Sequence, residues 1–237
     1  MALPMNVTPV YTLTIPSTKK EFKYRPFLVK EEKALLIAQT SEDVTVMLDT
    51  VKDVIKSCAK TDLDIDKLAS FDIEYIFVNL RAVSVGEVVE LMFKCDTCTS
   101  EEAVAKTLID LRECKVTFQD GHTNKIPLFD NVGVVMKYPT LETLQALDSS
   151  NEREIDQIFD IVISCIDYIY SAEEVFAAKD QKREDMLQFI NNLTGAHFEK
   201  IRTFFRTMPQ LRVDVKYTCP VCKKDHNKYM EGLKSFF

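Results

Sequence analysis

The stretches LMFKCDTC, residues 91–98, and VDVKYTCPVC, residues 213–222, end alike: an alternating run, then two cysteines separated by two residues. A Cys-x-x-Cys turn aims two thiolates at one point, which is half of the tetrahedron a structural zinc requires. Neither pair has a second pair close by in sequence. Cys95 and Cys98 are therefore expected to meet Cys219 and Cys222, across roughly 120 intervening residues. A compact ribbon separates its pairs by about 15–20 residues. The gap predicts a ribbon split in two with helices inserted between its halves, and a structural metal that closes a very long loop.

Other ligand sets compete. Cys114 follows Cys98 with 15 residues between them, but Thr117 stands where a fourth cysteine would complete a second pair, leaving His122 to fill that place. His226, four residues beyond Cys222, can replace a thiolate or stand next to one. A thiol-disulfide exchange site at Cys219 and Cys222 would need a helix N-terminus within a βαβ unit. The flank KKDHNKYMEG reads instead as a polar strand or turn.

Composition bounds the rest. A chain of 237 residues, 46% hydrophobic and 28% charged, can bury a core of its own. Its five glycines indicate few flexible joints. Seven cysteines and the start MALPMNVTPVYTLT, which lacks a secretory pattern, point to thiols and metal ligands rather than disulfides. Cys58 and Cys165 lie in apolar helical patterns and are expected in the core. No apolar run is long enough to insert in a membrane. The net charge of −7 argues against a dedicated nucleic-acid binder. Glu199–Lys228 nonetheless holds eight Lys or Arg against three Asp or Glu. That local charge suits either compensation of a tetrathiolate zinc site or contact with an acidic partner. A zinc-ribbon nucleic-acid accessory protein is the alternative function class.

The expected fold is α+β, a helical body with a small split zinc-ribbon-like β module. An N-terminal strand and helices occupy residues 1–85, a β region with the first knuckle 86–139, helices 140–208, and a strand with the second knuckle 209–237, together one compact unit. Leu35, Leu36 and Ile37 should lie buried in a first helix. Thr40 and Ser41, with Glu42 and Asp43 just behind them, should cap a second, whose stripe runs Val44, Met47, Val51, Val54 or Ile55, and Cys58. NEREIDQIFDIVISCIDYIY reads as one amphipathic helix with Ile155, Ile158, Phe159, Val162, Ile166 and Ile169 on one face. Phe204 and Phe205 are assigned to the core, and Phe236 and Phe237 to partner contact. No phosphate loop, nucleophile elbow or HExxH motif is present. TDLDIDKL lacks the glycine and distal glutamate of a calcium loop.

The segment YTLTIPSTKKEFKYRPFLVKEEKALLIA, from Tyr11 to Ala38, resembles the N-terminal signature of the baseplate hub proteins of T-even-type contractile-tailed bacteriophages. CPVCKKDHNKYMEGLKSFF is similar to the C-terminus of the same family. YRPFLVKEEK is the specific element, and both cysteine pairs fall where zinc-ribbon-like members of the family carry theirs. The resemblance implies a non-enzymatic virion structural or assembly protein of the central hub. It also implies hub or tail proteins as partners, with a homo-oligomer as a further option. The implied location is the host cytoplasm during assembly, or the virion tail baseplate.

Overall fold

The computed structural model describes residues 7–41, 43–148 and 154–232. It shows a mixed helix-and-sheet architecture of two compact units. Among the described residues, one comprises those within 7–65, 71–117 and 210–232, and the other those within 66–70 and 118–209.

The first unit opens with the antiparallel hairpin β1 (Tyr11–Thr14) and β2 (Glu21–Tyr24), which places Leu13 and Phe22 opposite each other in the core. Helices α1 (Val29–Ser41), α2 (Val44–Cys58) and α3 (Ser70–Val85) follow. The fully buried Asp72 on α3 accepts hydrogen bonds from the Ser17 amide and hydroxyl, tying the hairpin turn to the helix. The stripe of α2 is buried at Met47, Leu48, Val51, Val54, Ile55 and Cys58, as offsets of three and four require.

One expectation is narrowed here and another fails. The cap of α2 is Asp43, which accepts from the Thr45 and Val46 amides. Thr40 and Ser41 still belong to α1, and their hydroxyls turn back to the Ile37 and Ala38 carbonyls. In α1, Leu35 is buried but Leu36 and Ile37 are exposed. The helix buries only the face carrying Glu31, Leu35 and Ala38, so three consecutive apolar residues cannot all point inward.

After α3 the chain turns at Gly86, whose φ of 140° suits glycine. It then forms the hairpin β3 (Val88–Lys94) and β4 (Val104–Asp110), and the short β5 (Lys115–Thr117).

The second unit contains β6 (Lys125–Phe129), β7 (Val132–Met136), α4 (Leu141–Asp148), α5 (Glu154–Ser164), β8 (Ile166–Tyr170), β9 (Val175–Ala177), α6 (Arg183–Asn191) and α7 (Gly195–Thr207). Its strands make one antiparallel sheet in the order β6-β7-β8-β9. Ile126, Val134, Met136, Val162, Cys165, Ile166, Ile190, Ile201 and Phe204 form its core, with Phe205 partly buried against it. The long amphipathic helix expected here stops at Ser164. Ile166 and Ile169 belong to β8, where IDYIY, rich in β-branched and aromatic residues, pairs with β7. Ile158 is exposed.

The chain returns to the first unit in β10 (Gln210–Thr218) and β11 (Asp225–Glu231), with β10 lying between β11 and β5. Val78 and Ala82 of α3, Ile109, Leu111, Cys114, Leu211, Val213, Val215 and Met230 form the core under these strands.

Candidate metal centre

Strand periodicity delivers the cysteines. Successive residues of a strand point to opposite faces, so the inward row Leu211, Val213, Val215, Tyr217 on β10 continues into Cys219. On β3 the row Val89, Leu91, Phe93 continues in the same way into Cys95. Cys95 and Cys219 are buried beside Ala103, while Cys98 and Cys222, each on the far side of its turn, are half-buried. Backbone bonds fix both turns: the Cys95 amide donates to Ala103 O at 2.8 Å, and the Cys219 amide to Lys224 O at 2.9 Å.

The four sulfurs lie within 4.8 Å of one another. Cys95 Sγ is 3.8 Å from Cys222 Sγ, and Cys98 Sγ is 3.9 Å from Cys219 Sγ. A tetrahedron with zinc–sulfur bonds of about 2.3 Å has edges of about 3.8 Å. The donor set and its spacing therefore fit a tetrahedral thiophilic ion. Each contact joins one pair to the other, so an ion here would link the β3–β4 hairpin to the β10–β11 hairpin.

Neighbouring groups favour the charged form of Cys95 and Cys222. The hydroxyl and amide of Thr97 hold the Cys95 thiol down at about 5 against the cost of its burial. Thr97 Oγ1 is 3.2 Å from Cys95 Sγ and 3.8 Å from Cys222 Sγ. The Lys224 amide lowers Cys222, whereas the neighbouring sulfur of Cys222, together with burial and the other thiols, pushes Cys98 up to about 12. Metal ligands must be deprotonated, and two of the four are already biased that way.

His226 Nε2 lies 3.3 Å from Cys95 Sγ. The β10–β11 register sets His226 opposite Tyr217, on which its ring stacks at 5.0 Å, and Tyr217 stacks in turn on Phe93 at 5.2 Å. This column joins the two hairpins directly below the sulfurs. Asp96, in the first turn, forms a 2.8 Å ion pair with Lys228 of β11.

The rival ligands lie elsewhere. Cys114 is buried in the apolar core of the first unit. His122 belongs to the second unit, where Thr207 and Tyr138 engage its two ring nitrogens and burial lowers its pKa. Cys58 and Cys165 are fully buried and burial raises both to about 11, as expected for core thiols. Phe236 and Phe237 lie outside the described residues. His226 stands next to a thiolate, one of the two places the sequence offered it, whereas sequence reasoning missed Thr97. The hydroxyl inside the Cys-x-x-Cys turn was the available signal, because Thr side chains bond the backbone and neighbours of tight turns.

No helix among the described residues is long and apolar enough to cross a membrane. No solved structure matches the chain. The baseplate hub assembly protein gp26 of Enterobacteria phage T4 is 26% identical to it over 228 residues, covering 96% of this chain and 97% of that protein. The family described as T4 bacteriophage base plate protein matches residues 8–237. With the match spanning nearly all of the sequence and both cysteine pairs, the chain belongs to the T4 bacteriophage base plate protein family.

Proposed function

We propose that this chain serves the central hub of a phage tail baseplate, as a component or assembly factor, without catalysing a reaction. The observation that carries this reading is the alignment with a hub assembly protein over nearly the full length of both chains. Its partners are then other hub or tail proteins. It acts in the host cytoplasm while baseplates are built, and its site in the virion is the tail baseplate.

Within that role, Cys95, Cys98, Cys219 and Cys222 hold one structural zinc, and the two hairpins form a split zinc-ribbon-like module. Four sulfurs at tetrahedral spacing support this. Thiolates select soft ions, and a site closed by four protein ligands leaves no position for substrate. The zinc would brace a docking surface rather than do chemistry.

Two measurements test the reading separately. Native mass spectrometry of the wild type should show one zinc per chain, absent from Cys219→Ser. A wild-type protein that folds without metal sinks the brace. Co-expression with the hub proteins of the same phage should yield a complex containing this chain. Its absence from every hub complex and intermediate sinks the hub role, whatever the metal content.

A further inference from the structure

A groove between α1 and α3 has a cavity of about 220 Å³, floored by Phe27, Leu35 and Phe77. Its walls carry two opposite charges, Glu32 on α1 and Arg81 on α3. Neither has a hydrogen-bond or ion-pair partner among the described residues. Arg81 is half-buried, and burial alone lowers its pKa, so its guanidinium has lost water without gaining a carboxylate.

Two of the lining residues are apolar and open, Leu36 at 57% exposed and Val85 at 60%, and α1 also exposes Val29 (79%) and Ile37 (59%). Val29, Glu32 and Leu36 share one helical face, at offsets of three and four. Exposed apolar side chains lining a groove beside an unpaired charge mark an interaction face.

We propose that this face is a self-association interface, on which a second copy of the chain docks about a two-fold axis. The argument is complementarity. A two-fold interface presents the same patch on both sides, so each patch must satisfy itself. This one does: Glu32 of each copy is available to Arg81 of the other, and the Leu36 ridge of each α1 to the groove of the other. A charge-assisted carboxylate–guanidinium pair would replace the water that Arg81 has lost. The proposal rests on the first unit alone and requires neither the hub role nor the zinc.

Sedimentation velocity of the full chain over a concentration series is the test. The wild type should show a monomer–dimer equilibrium. Glu32→Arg alone and Arg81→Glu alone place like charges across the interface and should each weaken dimerisation about a hundredfold. The double variant restores the opposite-charge pair and should recover most of that loss. Leu36→Asp should be monomeric, with thermal denaturation confirming that each variant folds. A wild type that stays monomeric throughout overturns the proposal, even if the groove then binds a different acidic amphipathic segment. So does a dimer indifferent to the charge reversals, or one that the double variant fails to rescue.

Discussion

Glu31 shows what the YRPFLVKEEK signature does physically. Its carboxylate, 5% exposed, accepts from Arg25 at 2.8 Å, from the Ser57 hydroxyl at 2.7 Å and from the Leu28 amide at 2.8 Å, with Lys30 at 3.3 Å. Burial works against ionisation, but these bonds outweigh it and hold the group at about 2. Arg25 also reaches the Pro26 and Ser57 carbonyls, so one ion pair staples the end of β2 to α1 and α2. Because the folded pKa lies below the unfolded one, the contribution is complete above about pH 4.3 and fades as pH falls toward 2. Glu31→Gln should therefore be less stable than wild type near neutrality, with a gap that closes on acidification. Urea titrations at a series of pH values measure this, and a gap independent of pH would contradict it. Glu31→Ala, which leaves Arg25 uncompensated, should cost about 3 kcal/mol at neutral pH.

At the scale of elements, α2 and β7 offer direct tests. Asp43→Ala removes the side chain that accepts from two amides at the start of α2 and should cost about 1 kcal/mol, read by chemical denaturation. Gly133 on β7 is different, because any Cβ there would enter the Tyr170 ring hydroxyl and the Ile126 carbonyl. Gly133→Ala should cost about 1–3 kcal/mol through overpacking, visible as a lower melting temperature. The same two regions show what the sequence could and could not reveal. The stripe of α2 was legible because one face of that helix is buried and periodicity alone marks it. The α5–β8 boundary was not, since Ile166 and Ile169 continue the helical spacing of Val162 while also suiting a strand. Pairing with β7, a contact distant in sequence, decides between them. The exposed Leu36 and Ile37 misled for the converse reason: hydrophobicity reports that a surface seeks cover, not that the same chain provides it.

For the molecule as a whole, the cysteines were legible and their surroundings were not. A Cys-x-x-Cys turn is a local pattern, whereas the place of His226 depends on a hairpin register that sets it opposite Tyr217. The four-cysteine cluster joins positions 121 residues apart in the case of Cys98 and Cys219, so a metal there would close a loop containing residues 118–209, the larger segment of the second unit. Closing a loop of about 100 residues covalently is worth on the order of 4–5 kcal/mol in lost unfolded-state entropy, and a tightly held ion acts in the same sense. The second unit has an apolar core and a four-stranded sheet of its own, neither containing a ligand cysteine. Metal removal should therefore be felt unevenly. Hydrogen exchange after chelation should show lost protection in β3, β4, β10 and β11, while β6, β7, β8 and α7 keep theirs. Re-adding zinc should restore the first group, and Cys219→Ser should show the chelated pattern from the outset. Uniform loss across both units would mean that the ion holds the entire chain together; no loss at all would mean that the apolar core beneath the hairpins and the Phe93–Tyr217–His226 column suffice without it.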